Sequence, residues 1–431
     1  AEEASLTLSL LKSRGLLTEE FLENFIRDYL TDLTLHEIGH VLGLRHNFTA
    51  KTWLPDEALG SSNPFSASVM DYGTVNMAAK GEKQGSFWAT KLGPYDYWAI
   101  EYAYRPLDGL SNAESSAALE AIASRSQEPG LAYATDEDSN GTDPLIQTWT
   151  MGRDVLDFAR KRTNLVRELW SLLDTEQPQA NENYQSFFMR YLDGWLAYDT
   201  AVRAAAVNIG GFYTHRHHAG GAGSKDPFEP VPGDVQRKTL AFLDAVLFSD
   251  APFVLSPQLL RRLARERQPS IRVTDPELTM MPHGEMVRWL RARALERILN
   301  EDVLRRIVET PGMSSPGDNP LTIAELLERL TKSILSEAFN PRAMRTGPKK
   351  ISSMRRDLQT EYVGFLVGIA FLGINDEIPG VSALAKAHLK RLSARTERAG
   401  TVKGWDEESR THLLEITRKV ETAFDKYEPG P

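Results

Sequence analysis

Three histidines and a glutamate fall within eleven residues of this chain, His36-Glu37-Ile38-Gly39-His40-Val41-Leu42-Gly43-Leu44-Arg45-His46, at a spacing that suits one divalent metal ion. His36 and His40 are four residues apart, so on a helix they stack on one face and reach the same ion. Gly43 can leave that helix with φ > 0 and turn the chain back, which presents His46 as a third ligand. Three imidazoles with an open fourth position are the coordination of catalytic rather than structural zinc. Glu37, beside the first ligand, is then placed to take a proton from a water molecule at the open position. The predicted chemistry is hydrolysis, and the competing reading is an amphipathic helix with satisfied histidines.

The element that must carry these residues is legible upstream. Thr18 to Leu35 opens with acidic residues and spaces Phe21, Phe25, Leu30 and Leu33 as a helix does, so one helix is expected to run into the motif. Downstream, Ser68-Val69-Met70-Asp71-Tyr72 follows the turn-prone Ser61-Ser62-Asn63-Pro64.

The eleven-residue motif followed by such a methionine resembles the metzincin clan of zinc peptidases. The segments HEIGHVLGLRHNF from His36, GPYDYWAIEYAY from Gly93, YATDED from Tyr133, IGG from Ile209 and PFEPVPGDVQRKTLAFL from Pro227 narrow this to the large bacterial metalloproteases called Met-zincins. The resemblance implies that Met70 forms an apolar floor under the metal and that Tyr72 stands near the zinc as a ligand or donor. Export to the periplasm or beyond is implied in the same way. Asn47 follows the third histidine where better-studied groups have Glu, Pro or Asp, so their substrate preferences do not transfer. Metzincin domains also begin with a sheet, whereas the 35 residues before His36 do not read as strands. A piece of a longer precursor, partnered by its N-terminal portion, is therefore expected.

Composition sets wider bounds. With 431 residues, 41% of them hydrophobic and 25% charged, the chain reads as an ordinary globular protein of two or three domains. A formal charge of −9 argues against general nucleic-acid binding, and zero cysteines exclude disulfides and thiolate metal sites. The thirteen-residue run Tyr362 to Ile374 is too short for a membrane span, which needs roughly twenty residues, and reads as a buried helix. Ile323, Leu326, Leu327, Leu330 and Ile334 make a clean helical stripe, and strand alternation is scarce. The expected fold is mainly α: a metzincin-like zinc-binding core over residues 1–110, a connecting region over 111–180, and a helical bundle over 181–431.

Three further clusters carry weaker signals. Asp136, Asp138, Asn140 and Asp143 space oxygen ligands as a calcium loop opens, with Gln147 where an EF-hand has its bidentate acid, so the readings are a Ca²⁺ site of another geometry or a solvated acidic loop. His215-Arg216-His217-His218 reads as an exposed loop or a second metal site, and Arg261, Arg262, Arg265 and Arg267 as a solvated face. The functional expectation is a zinc-dependent endopeptidase acting on peptide or protein substrates. Two alternatives stand beside it: a zinc-stabilised scaffold that binds peptides or envelope components without catalysis, and a zinc hydrolase of non-peptide amides or esters.

Overall fold

The computed structural model describes the chain except residues 1, 140, 179, 221–223, 265–281, 340–348, 373–377, 379 and 429–431. Asn140, Arg265, Arg267 and the end of the apolar run thus lie outside the described residues. Fifteen α-helices account for most of the rest, with two three-residue strands, Phe212–Thr214 and Phe228–Pro230, that pair with each other. The chain is mainly α, as its patterning predicts. It forms two compact units: Ala1–Val207 with Gly211–Glu229 and Pro257–Ile271, and Asn208–Gly210 with Pro230–Ser256 and Arg272–Pro431.

The first unit is organised around helices α1 (Glu2–Ser13), α2 (Glu19–Val41), α3 (Pro94–Tyr104), α4 (Asn112–Ala123), α5 (Val155–Thr175) and α6 (Gln185–Ala206). Helix α2 starts where Thr18 accepts a hydrogen bond from the Phe21 amide, with Glu19 and Glu20 facing the positive end of the helix dipole. It then runs through the histidine motif. Phe25 is buried against Val75 and Trp88, and Tyr29 packs on Trp88 one turn further on. Leu30 and Leu33, read with the helical apolar pattern, instead lie on the outer face at 51% and 38% exposure.

Helix α1 buries Leu6, Leu10 and Leu11 and packs on α5 and α6. Arg14 holds Glu168 with two parallel bonds, and Ser9 donates to Asp193. Between α5 and α6, Trp170 stacks on Tyr191 and Tyr198 with centroids 5.1 and 5.6 Å apart. Aromatic pairs of this kind contribute about 0.5–1.5 kcal/mol beyond the area they bury.

In the second unit the stripe Ile323, Leu326, Leu327, Leu330 and Ile334 is buried along the helix Ile323–Ile334. Tyr362, Val363 and Leu366 are fully buried within the helix Ser353–Phe371. No helix among the described residues is long and apolar enough to cross a membrane. Arg291 is buried here too, its guanidinium shared among Asp250 and the carbonyls of Leu247, Ser249 and Met354. That set of acceptors is what makes a buried arginine tolerable.

Candidate metal centre

Helix α2 delivers two histidines and then stops. The amide of Gly43 bonds back to the His40 carbonyl and that of Leu44 to the Gly39 carbonyl, with Gly43 at φ +87°. This left-handed exit, open to glycine at no steric cost, reverses the chain and brings His46 beside the helix. The rings of His36 and His40 lie 4.8 Å apart, His40 and His46 4.8 Å, and His36 and His46 5.4 Å. One ring nitrogen or equivalent ligand atom from each of the three lies within 4.8 Å of the others.

The second nitrogen of each ring decides what the first can do. His36 Nδ1 lies 2.7 Å from the Val69 carbonyl and His40 Nδ1 3.0 Å from the Leu44 carbonyl. A carbonyl only accepts, so both Nδ1 atoms carry the proton and both Nε2 atoms keep a lone pair. His46 Nδ1 faces the Asp136 carboxylate at 2.9 and 3.1 Å, which sets the same tautomer. His46 Nε2 is buried without a hydrogen-bond partner among the described residues. Burial, above other causes, pushes the His36 pKa down, which favours the neutral imidazole that a metal requires. Three oriented imidazoles and an orphaned buried nitrogen fit a zinc ion, and the partners of the three Nδ1 atoms are those that orient metal-binding histidines.

Met70 packs against the helix that carries His36 and His40. It is fully buried, and a Cβ on Gly39, between the two helical histidines, would stand 2.2 Å from its sulfur. The turn that carries it is fixed from α3. Asp96 accepts from Ser68 Oγ at 2.6 Å, from the Val69 amide at 3.1 Å and from the Gly93 amide at 2.8 Å. Asn47, fully buried, ties the pieces together. Its amide bonds the Met70 carbonyl, and its side chain donates to the Ala132 carbonyl and accepts from the Ala134 amide. Asn47 is thus a structural clamp next to the third histidine.

Replacing Gly39 with alanine separates two effects. Helix propensity alone favours alanine by about 1 kcal/mol. Overpacking against Met70 costs about 1–3 kcal/mol. A lower melting temperature is expected, and Gly39→Ala should cost less when Met70 is already alanine, as a double-mutant cycle would read; a raised one would mean that the methionine moves aside freely.

Tyr72 closes one side. Its ring lies 4.3 Å from His46 and 5.3 Å from His36, and it stacks on Trp149 at 5.0 Å with the planes 9° apart. Trp149 holds φ +61°, its amide bonded to the Tyr72 carbonyl at 2.7 Å. A left-handed tryptophan costs of order 1 kcal/mol or more and persists here at the edge of the histidine cluster. Burial, then Asp136 and Glu37, raises the Tyr72 pKa, so the phenol remains a donor at neutral pH. Glu37 is exposed and lines the same cavity as His36 and Tyr72.

Among the described residues the acidic loop gives no support for a calcium site. Asp136 is engaged by His46, Asp138 by Arg216 and the Thr135 amide, and Asp143 by the Leu145 and Thr214 amides. These carboxylates serve three separate places, and the histidine trio is the one metal-competent group found among the described residues. Oxygen spacing in sequence suggested one ion, but the loop spends its charges on long-range anchoring. His215 and Arg216 likewise meet carboxylates, Glu229 at 3.5 Å and Asp138 at 2.6 Å. Asp136 and Trp149 had no signal in sequence as parts of this centre, because their partners sit about 75 to 90 residues away.

Comparison with curated proteins and with solved structures finds no match to this chain. Protein-family models do: the model described as Met-zincin matches residues 18–341, which span the histidine motif, the segment from Ser68 to Tyr72 and the Asp136 loop. That match covers most of the sequence and, with the three-histidine cluster, fits a zinc metalloprotease; the chain belongs to the Met-zincin family.

Proposed function

We propose that this protein is a zinc-dependent endopeptidase in which His36, His40 and His46 hold the metal. One observation carries the reading: each Nδ1 is committed to a protein oxygen, so the remaining lone pairs belong to nitrogens of three adjacent rings. When bound, zinc supplies Lewis acidity, polarising a scissile carbonyl and making water acidic enough to ionise near neutral pH. Glu37, next to the first histidine and exposed to the cavity, takes the proton from the attacking water and returns it to the leaving amine. Tyr72, held protonated by burial and fixed by Trp149, donates to the oxygen on which negative charge develops.

Asp136 keeps His46 in its ligating tautomer, and its own pKa is lowered chiefly by that hydrogen bond. The test is peptide cleavage by the purified chain on a mixed library. Turnover should vanish on chelation and return with one equivalent of zinc. Tight zinc binding with peptide binding but no products would instead indicate a scaffold, and cleavage confined to non-peptide amides or esters a different hydrolase.

A further inference from the structure

A cavity of about 320 Å³ is lined by His36, Glu37 and Tyr72. Pockets that hold a small ligand or side chain begin at roughly this size, ~300 Å³. Its walls mix aromatic rings with the hydroxyls of Ser66, Ser68 and Thr74. Tyr29 and Trp88 pack together on one wall, centroids 4.9 Å apart and planes tilted by 51°, and Trp149, stacked on Tyr72, also lines the cavity.

Besides Glu37, two further carboxylates line it, and they differ. Asp71 is matched, with Lys51 Nζ at 3.2 Å and Ser66 Oγ at 3.4 Å. Asp32, one turn ahead of His36 on α2, has no hydrogen bond or ion pair among the described residues. Burial first, and Asp71 second, pushes its pKa up to about 7. Such a carboxyl is ready to take a proton near neutral pH, and a positive charge arriving beside it would favour the ionised form instead.

The chemistry of that guest follows from the walls. A long aliphatic stem packs on aromatic faces, and a cationic head is drawn both to the ring faces and to the carboxylate. Among peptide side chains only lysine and arginine combine the two. We propose that this cavity receives a lysine or arginine side chain adjacent to the scissile bond, with Asp32 taking its charge. Asp32 is then a specificity-determining residue. The inference rests on the peptidase reading, since the cavity is placed relative to the peptide bond by Glu37 and the histidines.

Paired peptides that differ only by lysine against norleucine, on either side of the cleaved bond, isolate the charge. The zinc-loaded protein is expected to show kcat/KM higher by roughly 30-fold or more for the lysine peptide, the scale of one buried charge pair. Asp32→Asn should bring the lysine-to-norleucine ratio close to one. The same pair is then titrated calorimetrically onto Glu37→Gln protein, where the Kd ratio should follow the same order. Cleavage without cationic preference, or a preference that survives Asp32→Asn, overturns the assignment and leaves the peptidase reading standing. If no peptide is cleaved but the Asp32-dependent binding preference persists, the peptidase reading fails and the cation pocket stands. If neither peptide is cleaved or bound, both fail.

Discussion

Glu37→Gln protein is expected to lose roughly 10²–10⁴-fold in kcat while binding zinc as the parent does. Glutamine keeps the length and volume of the side chain but can neither accept a proton from water nor release one to an amine. Glu37 is not among the three rings whose nitrogens group together, so its replacement leaves that group intact. It is also exposed, and no core contact is lost. The informative experiment measures both quantities on one preparation: zinc content by elemental analysis, and single-turnover cleavage of a fluorogenic peptide. Loss of rate with unchanged metal identifies the carboxylate as the proton carrier. A variant that turns over at the parental rate would remove Glu37 from the mechanism, and the proton would need another acceptor at the cavity. Loss of zinc together with rate would make Glu37 part of the metal environment instead.

What could be read from the sequence is local, and what could not is long-range. The four-residue spacing of His36 and His40, and a glycine able to adopt φ +87°, are properties of one helix and its exit, and both are realised as written. The stripe from Ile323 to Ile334 is legible for the same reason: a single helix repeats its own pattern. Asp136 shows the opposite case. Its neighbours in sequence are acidic at alternate positions, which is how a calcium loop begins. Folding takes those acids apart, sending Asp136 to His46 and Asp138 to Arg216. Trp149 carried no signal either, because its left-handed backbone and its stack on Tyr72 accompany a long-range pairing, Gly73 with Thr150. Asp32 reads as an ordinary charged position on an amphipathic helix. Only the folded walls of Trp88 and Tyr29 make its burial visible.

The acidic loop therefore yields a second quantitative expectation, and it concerns affinity rather than rate. Substituting Asp136 by Asn replaces a charged acceptor with a neutral amide at nearly the same position. The hydrogen bond to His46 Nδ1 survives in geometry but loses its charge assistance, roughly half its strength. His46 becomes a poorer donor to a metal, and its ring is less firmly held in the tautomer that leaves Nε2 free. Zinc affinity measured by chelator competition is expected to fall about 10–100-fold, the range found for such supporting carboxylates. Glu137→Gln serves as the control from the adjacent position. It is held by Arg45, which also lies 3.6 Å from Asp136, and both side chains are more than half exposed, so zinc affinity should fall far less than in Asp136→Asn. If Asp136→Asn binds zinc as tightly as the parent, the carboxylate is only a loop anchor; if both variants weaken binding equally, the general negative potential of the loop matters and the specific bond to His46 does not.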